Sequence, residues 1–313
     1  MPRSTPSAEP RSDRLTERET FETTLPAPSA RVASITRRML APMSEPEPST
    51  EFARVPAASV ITACLSAQAS VAPRSALAKL FGRSPLSADS RPWYLGALGE
   101  RRVAKRLDAL GDEWTVLHSV PIGERGSDID HVALGPPGLF TVNTKFHEDA
   151  TMWVGNRRLL VNGQPTDHLR NARFEAQRVT RLMTTVTGIP VTVTPILAIV
   201  GARDITFKEH PADVIVLREG ELARWLKRRQ AALAPTDRER LATAVARQET
   251  WMPKPAASTT HQVAAFESLQ RDVEQAHRVR RLWSAGALIT GIGIAAAVAG
   301  NAYSGLISAL IGG

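Results

Sequence analysis

Glu100, Asp130, Asn143 and Lys145 are the residues whose types and spacing suggest chemistry. Metal-assisted phosphodiester cleavage needs acidic oxygens to hold a divalent ion, and a base or cation to activate water and offset developing negative charge. Asn143 and Lys145 are two apart in a strand-like run from Gly138 to Lys145, so both side chains point to one face. Asp130 lies in the preceding run, Ser127 to Leu134, and an antiparallel pairing of the two strands brings it beside that pair. Glu100 is read as the start of a helix that reaches the same end of the sheet if it packs across it.

Each of these residues also has a plainer reading. An acid in a helix's first turn is what the helix dipole favours, which would account for Glu100 alone. Lys145 at a strand end also fits a solvated edge residue, and its pairing with Asp130 is what raises it above that. A carboxylate in a largely apolar strand is costly without a partner, so Asp130 carries more weight. Asn143 is in a poor class for a strand interior, which mildly favours a role. Asp128 shares the face of Asp130, or alternatively caps the turn from Gly123 to Ser127. His131 and His147 are open between metal ligand or general base and hydrogen-bonded structural group. Lys227-Arg228-Arg229 is open between phosphate contacts and a solvated helix face. Gln177, Asn171 and Arg173 fall on a helix where polar groups are ordinary.

The elements that must position these residues follow from periodicity. Val103, Leu107 and Leu110 recur at helical spacing, which predicts a helix from Glu100 to Leu110 ended by Gly111. Strand-like runs follow at Trp114 to Val120, Ser127 to Leu134 and Gly138 to Lys145, with breakers between them at hairpin-like spacing. Met152 to Val161 suggests another hairpin, Asp167 to Thr187 a longer helix, and Val191 to Val200 a buried strand rich in β-branched residues. A short strand at Val214 to Leu217 and helices around Glu219 to Arg229 and Thr236 to Glu249 complete a mixed sheet flanked by helices, an α/β class with three layers.

Outside residues 93–252 the composition changes. Residues 1–56 mix Pro, Ser, Glu and Arg without apolar periodicity and are expected to be disordered. They also lack the apolar core of a secretory signal peptide. Residues 57–92 read as a linker, a short helix packed on the domain or a weak surface-binding segment. A linker is expected at 253–264, and an amphipathic helix at 265–282 with Phe266, Leu269, Val273 and Ala276 on one face. Residues 283–311 have no ionisable side chain except Tyr303 and exceed the roughly 20 residues that cross a bilayer, so a C-terminal transmembrane anchor is expected. Arg278, Arg280 and Arg281 precede it, which puts the preceding domain on the cytoplasmic side of the membrane. A net charge of +8 attracts polyanions, whether nucleic acid or an anionic membrane surface. The single cysteine, Cys64, excludes an intramolecular disulfide framework and a Cys-based zinc cluster.

The motifs in order resemble a nuclease-related domain (NERD), a family with a PD-(D/E)xK-type, restriction-endonuclease-like framework. They are Gly99-Glu100, Ile129-Asp130-His131 followed by Gly135, Gly138-Leu139-Phe140 leading to Asn143-Thr144-Lys145, and Gln177 in a later helix. The match covers roughly Leu95 to Val200, with the core at 95–201. The resemblance implies Asp130 as the central metal ligand, Glu100 as a supporting acid, Lys145 as the water-activating or charge-stabilising cation, and Gln177 as a backing polar group, with Asp128 and His131 nearby. It implies Mg2+ or Mn2+, held by Asp130, Asn143 and Glu100, and nucleic acid as a partner. Asn143 departs from the family pattern, where an acid usually stands, and offers a neutral carbonyl oxygen in place of a charge. Two functions follow as expectations: a metal-dependent nuclease at the membrane, or a catalytically degenerate module that binds nucleic acid or a protein partner.

Overall fold

The computed structural model describes residues 55–122, 128–251 and 260–311, all within one compact unit, Pro48–Gly313. The expected disorder over 1–56 and the turn from Gly123 to Ser127 fall almost wholly outside these residues. The elements in chain order are α1 (Ala58–Gln68), α2 (Ala76–Leu80), α3 (Ser90–Asp108), β1 (Thr115–Pro121), β2 (Asp128–Gly135), β3 (Gly138–Phe146), β4 (Thr151–Val154), β5 (Leu159–Val161) and β6 (Gln164–Thr166). Then come α4 (His168–Thr187), β7 (Val193–Val200), β8 (Asp204–Phe207), β9 (Ile215–Arg218), α5 (Glu219–Lys227), α6 (Pro235–Ala246) and α7 (Thr260–Ile311).

A five-stranded sheet in the order β1-β2-β3-β7-β9 forms the centre. β1, β2 and β3 are an antiparallel meander, and β7 and β9 join parallel to β3. Parallel pairing of β3 with β7 requires a crossover, and the segment containing β4 to β6 and α4 supplies it. Both faces of the central strands are buried, as their near-continuous apolar runs demand. One face packs on α4 and α6 through Val132, Leu139, Val179, Met183 and Leu241. The other packs on α3 and α5 through Val103, Leu107, Phe140, Val142 and Leu222. This is the expected three-layer mixed α/β arrangement.

The structure departs from or extends the expectations in four places. The hairpin expected over Met152 to Val161 forms as β4 and β5, and it belongs to a second sheet, β6-β5-β4-β8. β8 has two polar residues among its four and draws its order from parallel pairing with β4, so its own pattern carried little signal. α3 begins at Ser90, well before Glu100. Gly96 and Gly99 mimic helix breakers in the sequence, but here they are contact points. A Cβ on Gly99 would lie 3.2 Å from both Phe146 Cβ and Thr144 Cγ2, so its absence lets α3 lie close on β3.

The remaining two concern the flanks. Within residues 57–92, read as linker, packed helix or surface-binding segment, α1 packs on α3 and α7 through Ile61, Cys64, Tyr94 and Phe266, with the Ala58 N–H donating to Ser119 Oγ at 3.0 Å. The C-terminal helix starts at Thr260, inside the expected 253–264 linker, and runs unbroken for 52 residues. Its first part buries Phe266, Val273 and Ala276, the face that periodicity marked. From Leu282 to Tyr303 its large apolar side chains, among them Leu288, Ile289, Ile292 and Val298, are exposed, and the helix is long and apolar enough to cross a membrane.

Candidate active site

The β2–β3 ladder runs from Gly135–Gly138 to His131–Val142 and ends there. Asp130 is the next residue on β2, and its Oδ2 accepts the Thr144 N–H at 2.6 Å. The carboxylate therefore takes the place of a backbone acceptor at the end of the ladder, which satisfies a donor and fixes the acid against β3. Asn143, beside Thr144, is 6% exposed. Its Nδ2 donates to Glu175 Oε1 at 2.8 Å and Oε2 at 2.9 Å, while its Oδ1 is buried with no hydrogen-bond partner among the described residues. A buried acceptor left open costs free energy, so the open oxygen is the kind of feature a bound ligand would relieve.

Electrostatics ties further groups to this point. Burial and repulsion from Asp130 push the Glu100 carboxyl well above its usual range, partly opposed by Lys145. Asp130 is itself raised by burial, against the pull of Lys145 and the Thr144 N–H. Glu175 is raised to about 7 by burial and by Asp130, although its bond from Asn143 and the nearby Lys145 act the other way. Asp130 thus raises the proton affinity of acids on two other elements, and Lys145 opposes the rise at all three. A cation placed among them lowers that repulsion.

The structure brings Glu100, Asp130, Asn143 and Lys145 to one end of the sheet. Glu100 does not get there as expected, because it lies in the middle of α3 and is 7% exposed. The helix dipole acts mainly on the first turn and does not account for a buried acid there. Gln177 is not brought in: it is exposed, about 200° around α4 from Glu175. His131 is fully buried next to Asp130 in the chain, and neighbours on a strand point to opposite faces. Its Nδ1 lies 2.8 Å from His118 Nδ1 and its Nε2 is 3.4 Å from Thr144 Oγ1, a structural chain in which burial holds it well below its usual pKa. Asp128 accepts a hydrogen bond from the Ser59 hydroxyl of α1, and the turn it was read as capping lies outside the described residues. His147 pairs with His168, Nε2 to Nε2 at 3.1 Å, and burial with Lys145 nearby lowers both imidazoles, His168 to about 4.

Glu175 is the member that sequence reasoning missed. Its signal was present: Ala172, Ala176, Val179 and Met183 form the buried stripe of α4, and an acid at 175 flanks that stripe. Among the described residues no three His, Cys, Asp or Glu side chains form a group that could hold a metal ion as they stand. The donors that suit a hard divalent cation include the amide: the open Asn143 Oδ1, the Asp130 carboxylate held on the adjacent Thr144 N–H, and Glu175 bound to the same amide.

Acids and a lysine thus gather at the end of a mixed sheet between helix layers. Residues 95–200 match the family model of NERD, the nuclease-related domain, which bears out the resemblance that the motifs suggested. No curated protein matches the chain, and no solved structure does.

Proposed function

We propose that this chain is a divalent-metal-dependent phosphodiesterase acting on DNA or RNA, held at a membrane by α7 with its nuclease-related domain on the cytoplasmic side. The observation that carries this reading is the open, buried Asn143 oxygen on an amide that holds Glu175, with Asp130 fixed on the next residue's N–H and Lys145 acting on Asp130, Glu175 and Glu100. Asp130, Asn143 and Glu175 would hold Mg2+ or Mn2+, and the bound ion would supply Lewis-acid stabilisation of the phosphate and a more acidic water. Glu100 would add charge to that set, as the family resemblance implies. Lys145 offsets negative charge on the scissile phosphate, the charge-stabilising part that the family resemblance implies. Asp130 is held in place for this by the Thr144 N–H, so little ordering is needed when substrate arrives.

Nucleic acid as the substrate is supported by a groove of about 1310 Å³ along α3, whose lining includes Arg91, Arg101, Arg102 and Lys105 and which extends to Phe146 at the end of β3. Lysines and arginines in such a groove bind phosphate backbones with strong salt dependence. The cytoplasmic side is supported by Arg278, Arg280 and Arg281 just before the apolar run.

The test is cleavage of DNA and RNA by the full chain in detergent with Mg2+ or Mn2+, beside the Asp130→Ala variant. Loss of cleavage in the variant is expected, and equal rates in the two proteins would sink the reading. Asn143 favours one alternative, a degenerate module that binds nucleic acid or a protein partner. That alternative predicts salt-sensitive nucleic-acid binding, or partner binding, without turnover under any divalent ion.

A further inference from the structure

The segment 74–83 leaves a row of apolar side chains in solvent: Leu77, Leu80 and Phe81 are 67%, 53% and 57% exposed. A short helix that buried its apolar face in the domain would not do this. The segment is nevertheless fixed, because it is locked onto α7. Gly82 adopts φ +65°, and a Cβ there would lie 2.6 Å from both the Ala276 carbonyl oxygen and the Arg280 nitrogen, so only glycine permits this contact. The Arg74 guanidinium is 3.4 Å from the Asp272 carboxylate, Trp283 Nε1–H donates to the Leu80 carbonyl at 2.7 Å, and the Phe81 and Trp283 rings are 5.4 Å apart.

The position of this row along α7 says what would cover it. It touches the helix where the domain-packed part, ending at Ala276, gives way to the exposed apolar part beginning at Leu282 and Trp283. Leu282 and Trp283 are exposed themselves and continue the row. Exposed cations surround it: Lys79 and Arg83 on the segment, Arg278, Arg280 and Arg281 on the helix. Aromatic rings at the start of a membrane-crossing helix, with basic side chains at the same level, are the combination that occupies the headgroup layer of an anionic leaflet. The short N-terminal run and the C-terminal helix thus present one continuous surface with a graded character, cationic above and apolar below.

We infer that residues 77–83, together with Leu282 and Trp283, form an interfacial foot that lies in the headgroup region of an anionic phospholipid bilayer beside the point where α7 enters it. The foot rests on the reading of α7 as a membrane-crossing helix, and it adds a second attachment. A single crossing helix allows the domain to rotate about the helix axis, whereas a foot to one side of the axis fixes which face is turned toward the lipid.

The experiment uses the full chain in vesicles with an environment-sensitive fluorophore at Leu80→Cys or, separately, at Leu288→Cys. Cys64 is buried and does not compete for the label. Vesicles are phosphatidylcholine alone or an equal mixture with phosphatidylglycerol, carrying nitroxides either at the headgroup or deep in the acyl chain. The Leu80 probe is expected to shift to the blue in the anionic vesicles and to be quenched more by the headgroup nitroxide than by the deep one. Lys79→Glu with Arg83→Glu should abolish that shift. Quenching of the Leu288 probe by the deep nitroxide reports the crossing helix independently. A Leu80 probe that keeps its water-like emission in both lipids, while the Leu288 probe is quenched, overturns the foot and leaves the crossing helix standing. A quenched Leu80 probe with an unquenched Leu288 probe supports surface attachment and overturns the crossing.

Discussion

Both oxygens of the Glu175 carboxylate accept from one nitrogen, Asn143 Nδ2, at 2.8 and 2.9 Å. The amide at 143 therefore does two things: it holds an acid from another element in place, and it leaves its own oxygen open. Well above pH 7, where Glu175 is ionised, Asn143→Asp reverses the first, since two carboxylates would then face each other without a donor between them. The variant is expected to lose about 1–3 kcal/mol of stability without metal, and to regain it on adding Mn2+ or Mg2+, with divalent affinity increased on the order of tenfold because a neutral ligand has become a charged one. Thermal melts with and without the ion measure both. A variant whose melting responds to metal no more than the parent argues against a cation at this position.

The pH dependence of stability gives a second test. Glu175 has a folded pKa raised from 4.5 to about 7, so the folded state holds its proton more tightly than the unfolded chain. Its contribution is full below about 4.5 and is lost as pH rises towards about 7. Glu175→Gln removes this dependence. The variant should gain stability relative to the parent as pH is raised through that window, by up to about 3 kcal/mol, in metal-free denaturant titrations. A difference that stays flat across the window would mean that Glu175 is not held protonated.

Among the described residues Lys145 is the cation that opposes the raised proton affinity of Glu100, Asp130 and Glu175 together. Lys145→Met should lower cleavage by a factor on the order of 100 or more, with nucleic-acid affinity reduced far less, because the groove along α3 is untouched. Single-turnover cleavage set beside equilibrium binding separates the two effects. A parallel loss of both would make Lys145 a binding residue.

Gly99 tests how Glu100 is positioned. With Thr144 Cγ2 and Phe146 Cβ both 3.2 Å from where a Cβ would be, Gly99→Val forces α3 away from β3. Overpacking of this kind costs about 1–3 kcal/mol, and it moves Glu100 relative to Asp130. Urea denaturation should show the loss, and cleavage at temperatures where the variant remains folded should fall as well.

The central layers were legible because their signals are local. β2, β3, α4 and β7 carry strong periodicity or unbroken apolar runs and appear within a few residues of where the sequence suggests. The site was legible as far as it lies on those strands, at Asp130, Asn143 and Lys145. What sequence reasoning missed depends on tertiary contact. The helix carrying Glu100 was expected to start there, and the close approach of α3 to α1 and β3 at Gly96 and Gly99 accounts for glycines inside a longer helix. Glu175 and Gln177 are two residues apart on one helix, and only its packing decides that the acid turns inward and the amide outward. β8 has almost no pattern of its own and exists through its partner strand.

The unbroken course of α7 sets a working distance. From Phe266, buried against α1, to Trp283 at the start of the exposed apolar run, the helix rises about 26 Å at about 1.5 Å per residue. A tether of flexible chain would let the domain sample a broad volume of solution, whereas on the proposed membrane reading a continuous helix would keep it within a few nanometres of the bilayer. The search for substrate would then be nearly two-dimensional, and a nucleic acid would have to come to the membrane surface to be met.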